Sequence, residues 1–199
     1  LVPGRTRTSQ PADSAHLLCG RALKSNDTIA PLTRRTEKSE LQWAACQLVP
    51  AGISLALSVR ELIRQGYLYG ALVLMRSLAE RATTVSYLRK CPEAVPLWTA
   101  GWKHGKRPSL SFMLSRIGPE ELPHAGQEVT RILNSLVHGD PASSTWNVVR
   151  TGDDAGHAVS MILDRPDLCD RAAGEGTFWM ILLLVEMHEI FPDAFPETR

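Results

Sequence analysis

Two long runs of helix-spaced apolar residues, parted by one glycine, constrain this 199-residue chain more than any other feature. From Ser39 to about Gln65 the apolar positions are Leu41, Ala44, Leu48, Ala51, Leu55, Val59 and Leu62. From about Tyr67 to Lys90 they are Leu68, Ala71, Leu72, Met75, Leu78, Ala79, Ala82 and Val85. Steps of three and four collect each set on one side of a helix. Gly66 ends the first pattern, and Pro92 ends the second by restricting the residue before it. With almost nothing between them, the two helices must fold back on one another as an antiparallel hairpin. Such a chain is committed to helix-on-helix packing, and its length supplies one domain with a proper core. Pro50 lies inside the first helix and predicts a kink or a division there, because it removes a backbone donor and crowds the preceding turn.

The remaining segments hang on that hairpin. Residues 1–37 mix Pro, Ser, Thr, Asp and Arg, and only Ala15 to Leu23 has helical character, with Ser14 placed to cap it. They are expected to form an extended arm lying on the body or on a partner, ahead of a helical domain spanning 38–199. Residues 93–108 read as irregular. Trp98 and Trp102 there belong to local core, and Lys103, His104, Lys106 and Arg107 form a solvated loop. A short helix is predicted from Ser109 to about Ile117. Another runs from near Pro119 or Gln127 to His138, with Gly118-Pro119 and Gly139-Asp140-Pro141 as boundaries. Over residues 146–163 the period changes. Trp146 to Arg150, a Gly- and Asp-rich turn, and His157 to Leu163 read as a β-hairpin. The last helix, about Asp167 to Ile190, is apolar almost all round between Phe178 and Val185. It is expected to be the most buried element, shared in part with a second copy. The fold class is therefore all-α, with a small β-hairpin before the last helix.

Charge and cysteine usage narrow the function classes. Residues 1–40 carry seven Lys/Arg against four acids, and the remainder carries fifteen against seventeen, for a net +1. A protein that binds nucleic acid non-specifically by neutralising phosphates shows a broader basic excess, whereas a pocket handling one phosphate needs none. Cys19, Cys46, Cys91 and Cys169 form no CxxC pair, and the six histidines form no HxxxH or HExxH. No metal site and no cofactor are expected, and the thiols suit a reducing, cytoplasmic setting. The longest apolar run, Phe178 to Val185, is too short to span a bilayer, so no membrane partner is expected.

The candidate chemistry sits at the end of the helix leading to Gly139. Within Arg131-Ile132-Leu133-Asn134-Ser135-Leu136-Val137-His138-Gly139, a turn of 100° per residue gathers Arg131, Asn134 and His138 within about 60° of one another, with Ser135 close by. Ile132, Leu133, Leu136 and Val137 take the other sides. A guanidinium offers a planar fork to phosphate oxygens, and an imidazole moves a proton near neutral pH. Together they suit cleavage of an RNA phosphodiester without metal. A base takes the 2′-hydroxyl proton, the oxygen attacks phosphorus, an acid protonates the leaving 5′-oxygen, and a cation steadies the phosphorane. His138 would be the acid or base, Arg131 the stabiliser, and Asn134 would orient His138 or bind a phosphate oxygen. One imidazole for two proton transfers implies a dimer that brings two motifs together. The competing reading is structural, since His before Gly is a common helix ending. Arg76 and Glu80, four apart on the second helix, likewise have two readings. They form a helix-stabilising ion pair, or Arg76 supplies a second substrate-binding cation held by Glu80, alongside Ser135.

Arg131 and His138, separated by six residues at a helix end, resemble the Arg-x4–6-His signature of the HEPN superfamily, the higher eukaryote and prokaryote nucleotide-binding domains. Tyr69-Gly70-Ala71-Leu72-Val73-Leu74-Met75-Arg76-Ser77-Leu78-Ala79-Glu80 and Leu133 to Gly139 also look like segments of an uncharacterised bacterial HEPN-like family, so the resemblance covers roughly residues 40–190. It implies an up-and-down helical bundle that forms a homodimer. It also implies a metal-independent endoribonuclease acting on RNA in toxin–antitoxin, abortive-infection or other phage-defence systems, with an antitoxin or other protein partner. The alternative that the resemblance leaves is a non-catalytic dimeric module that binds a partner, a nucleotide or another ligand. Two departures bear on that choice. Ile132 follows the Arg where active members often carry a polar residue, and the β-hairpin follows the motif directly.

Overall fold

The computed structural model describes residues 10–31, 34, 37–102, 107–118, 122–138, 141, 148–151, 154–157 and 166–195. Their architecture is an all-α bundle. Its helices are α1 (Gln10–Ile29), α2 (Glu40–Arg64), α3 (Leu68–Lys90), α4 (Val95–Thr99), α5 (Leu110–Ile117), α6 (Leu122–Val137) and α7 (Pro166–Ile190).

The α2–α3 hairpin forms where the apolar spacing requires it. Ser39 accepts from the Gln42 amide while the Gln42 side chain accepts from the Ser39 amide, a capping box that starts α2. Gly66, at φ +83°, stops it. The Gly66 amide donates to the Ile63 carbonyl and the Tyr67 amide to the Leu62 carbonyl. That Schellman ending needs a left-handed residue, which glycine supplies without steric cost. Pro50 neither breaks nor divides α2, which runs unbroken through it. Residues on both sides of it, among them Ala45, Val49, Ile53 and Val59, are buried by neighbouring helices, and this packing outweighs one lost backbone bond. By length and composition α2 could cross a membrane. In this fold its apolar side packs mainly on α3 and α7.

Side-chain contacts set the helix directions. Gly52 of α2 lies against Leu183 of α7, and the Gln42 amide group donates to the Ile190 carbonyl, so α2 and α7 are antiparallel. Met75 lies by Gly176, and Ser86 bonds Glu186, so α3 and α7 are parallel. Gly52 has a packing role, since a Cβ there would come within 2.5 Å of Leu183 Cδ1. Arg107 meets Glu80, Thr84 meets Met113, and Lys90 bonds the Ile117 carbonyl, so α5 runs alongside α3 in the same direction. α6 then returns, and its last turn meets Tyr69 at the start of α3.

Four expectations need correction. The most buried element is α3, with thirteen of its 23 residues inside, because α2, α5, α6 and α7 all pack on it. α7 instead keeps Phe178 (50%), Ile181 (43%) and Val185 (48%) exposed along one side. The N-terminal region is not an extended arm around a short helix. Residues 10–29 form one helix, α1, which docks on α7 and α2 with Ala22 and Ile29 buried. Tertiary contact thus prolongs a helix whose own sequence pattern is weak. Residues 92–99 are not irregular either, forming a 3-10 turn (Pro92–Ala94) and α4, while Trp98 and Trp102 lean on the core as expected. Finally, the hairpin strands are β1 (Val148–Thr151) and β2 (Asp154–His157), paired Val148 to His157 and Thr151 to Asp154. This register leaves two residues between the strands, so β2 starts three residues earlier than the period alone predicts. The rest of 146–163 lies outside the described residues, as do residues 1–9 and the loop 103–106.

Candidate functional site

α6 is strongly amphipathic. Leu133 and Leu136 are buried, and Ile132 packs against the same core. Arg131 and His138 are exposed, with Asn134 half-buried between them on the outer side. The helix thus faces the core with one apolar stripe and presents the Arg, the amide and the imidazole together. Along the axis Arg131 and His138 are seven residues, about 10 Å, apart. The His138 amide donates to the Asn134 carbonyl at 2.9 Å, so His138 belongs to the last helical turn. Gly139, the expected cap residue, lies outside the described residues.

Tyr69 anchors this end of the helix. Its hydroxyl donates to the Leu136 carbonyl at 3.1 Å, filling one of the acceptors that a helix terminus leaves open. Sequence reasoning included Tyr69 in a segment of interest but assigned it no role. The helical phase that carries Tyr69 to α6 carries Arg76 and Glu80 on the same side of α3, since seven and eleven residues return nearly to the starting angle.

The expected groups are only partly brought together. Arg76 Nη2 lies 2.8 Å from Glu80 Oε1, with Nε donating to the same oxygen at 3.1 Å, and Arg107 Nη2 lies 3.2 Å from Glu80 Oε2. The ion-pair reading of Arg76 and Glu80 is therefore realised, with Arg107 as an unforeseen third member. Among the described residues Arg76 Nη1, which is buried, has no hydrogen-bond partner. Because Tyr69 meets Leu136, Arg76 stands about nine residues, or roughly 13 Å, along the bundle axis from His138, and nearly level with Arg131. It is a neighbour of the Arg end of the motif, not of the imidazole. Ser135 donates its hydroxyl proton to the Ile132 carbonyl at 2.8 Å, which leaves only its oxygen lone pairs for a ligand. No side-chain bond joins Asn134 to His138 among the described residues, so Asn134 does not orient the imidazole here.

A second polar cluster lies in the core and has no sequence signal except that Glu186 directly follows an apolar run. Glu186 of α7 is 2% exposed. Ser86 donates to it at 2.7 Å, and Arg89 of α3 holds it through Nε and through Nη2 at 3.2 Å. Hydrogen bonding to that carboxylate raises the Arg89 guanidinium above its usual range, so the guanidinium stays charged. Among the described residues no three His, Cys, Asp or Glu side chains are grouped as metal ligands.

Residues 42–118, less than half of the chain, match a family of unknown function (DUF5677). The matched stretch takes in nearly all of α2, then α3, α4 and α5, and ends before α6 and its Arg131/His138 face. No curated protein and no solved structure matches the chain.

Proposed function

We propose that this chain is a HEPN-like, metal-independent endoribonuclease that works as a homodimer. One observation carries the reading: Arg131 and His138 stand exposed on the outer face of α6, at an end tied down by Tyr69. A helix cap or a core histidine has no need of an arginine and an amide on the same open face. The chemistry follows from the groups. His138 takes the 2′-hydroxyl proton or delivers one to the leaving 5′-oxygen, and Arg131 stabilises the charge on the phosphorane. Asn134 donates to a phosphate oxygen, and Ser135, whose proton is given to the Ile132 carbonyl, accepts from a ribose hydroxyl. Arg76, level with Arg131, and Arg107 carry two positive charges against the single carboxylate of Glu80, and this favours a flanking phosphate.

One imidazole performs one proton transfer at a time, and the reaction needs two. A second copy joined at the motif end supplies the other, and Val137, 47% exposed beside His138, offers apolar surface for the junction. Among the described residues the thiols of Cys46 and Cys91 form no disulfide, which fits action in the cytoplasm.

The test is RNA cleavage by the parent chain and by His138→Ala and Arg131→Ala. Each substitution should lower the rate at least about a hundredfold while helix content and dimer mass persist. DNA of the same sequence should stay intact, because it has no 2′-hydroxyl. Unchanged cleavage by a folded His138→Ala protein, or a parent chain that is monomeric at micromolar concentration by light scattering, would overturn the proposal.

A further inference from the structure

The outer side of α7 carries Phe178, Ile181 and Val185 at steps of three and four, all within about 60° and all close to half exposed. His188 continues the line. From Phe178 to His188 the stripe is ten residues long, about 15 Å. Its C-terminal part forms the floor of a cleft of about 870 Å³ between α7 and α1, closed at one end by Phe195, whose ring stacks on His188 at 3.8 Å. The α1 wall contributes Arg21 and Lys24, both exposed. Among the described residues the one carboxylate on the rim, Glu189, lies 3.9 Å from Arg89 and is drawn toward it.

We infer that this cleft is a docking groove for an acidic amphipathic helix of a partner protein. The shape fits a helix, because an apolar stripe at helical spacing beside a wall receives an apolar ridge of three turns along its length. The charge selects its sign. Two cations line the wall, so carboxylates beside the apolar ridge gain and ammonium groups lose. The same wall disfavours a second copy of this chain. A two-fold axis crossing α7, which pairs the two α7 helices antiparallel, would bring Arg21 and Lys24 of the two protomers to the same side of the junction. A small molecule would leave Phe178 uncovered, since the stripe runs on past the cleft. The groove lies at the α7 C-terminus, whereas the motif end of α6 meets the start of α3, level with the α7 N-terminus. A partner could therefore dock without covering His138, and this inference stands apart from the nuclease proposal.

Two synthetic helical peptides test it, with the same Leu stripe at i, i+3, i+4 and i+7 but flanked by Glu in one and by Lys in the other. Fluorescence anisotropy with the full chain should show the Glu peptide binding at least about tenfold more tightly, with the difference shrinking in high salt. Val185→Asp should weaken the Glu peptide at least about tenfold. The double substitution Arg21→Glu with Lys24→Glu, confined to exposed positions of α1, should reverse the preference toward the Lys peptide. His138→Ala should bind as the parent does. The inference fails if neither peptide binds, if both bind alike, or if the α1 charge reversal leaves the preference unchanged. It also fails if Val185→Asp turns a dimer into a monomer by light scattering, which would make a second copy the occupant.

Discussion

Removing Arg89 should damage this protein more than altering the carboxylate it holds, and the structure gives the size of the difference. In Arg89→Met the Glu186 carboxylate, 2% exposed, keeps only the Ser86 hydroxyl. Stripping one member from a buried ion pair costs about 3–5 kcal/mol, because the other charge stays desolvated and uncompensated. For a chain of this length that lowers Tm by roughly 6–20 °C, at about 2–4 °C per kcal/mol. Glu186→Gln is milder. The amide still bonds Ser86, and Arg89, whose side chain is 28% exposed, can turn toward Glu189 and water. A cost of about 1–2 kcal/mol is expected, the difference between a charged and a neutral hydrogen bond. Replacing the whole cluster, with Arg89→Met, Glu186→Leu and Ser86→Ala together, should return stability to within about 1 kcal/mol of the parent, since an apolar contact of similar volume avoids the desolvation penalty. Urea unfolding followed by helix circular dichroism at neutral pH measures all three. Arg89→Met no worse than Glu186→Gln, or a triple variant as unstable as Arg89→Met, would refute the reasoning.

Tyr69→Phe should cost about 1 kcal/mol in thermal unfolding and speed hydrogen exchange in the last turn of α6, including the His138 amide, because the Leu136 carbonyl loses its donor. Gly52→Ala should lower stability by about 1–3 kcal/mol less the roughly 0.5–1 kcal/mol gained in helix propensity, since its Cβ meets fully buried Leu183. Leu183→Ala should then cost less in the Gly52→Ala background than in the parent, and a double-mutant cycle by thermal melts reads that coupling. RNA cleavage, if it proceeds through Arg131 and His138, should survive excess EDTA, and activity lost on chelation and restored by Mg²⁺ would show that the site has been misread.

Local periodicity alone located most of this fold. The helices α2 and α3, the Gly66 stop and the Ser109 start all reappear, and the whole Leu68–Val85 stripe is buried, because burying one face leaves a repeat of three and four. In α2 only Ala44 and Val59 of the Leu41–Leu62 stripe are buried, and the buried side is turned toward Ala45, Val49, Gly52, Ile53 and Ala56. The shared face of Arg131, Asn134 and His138 was legible for the same reason, being helix geometry at short range. What the tertiary structure decided were matters of who lies opposite whom. α1 is a full helix only because α7 and α2 give it a surface. Pro50 is tolerated because neighbours hold both sides of its helix. Arg107 reaches Glu80 and Arg89 reaches Glu186 across 27 and 97 residues, distances over which a sequence pattern carries no phase. The apolar character of α7 told that it would be buried somewhere. Only the placement of α1, α2 and α3 around it determined that Phe178, Ile181 and Val185 would be left facing outward.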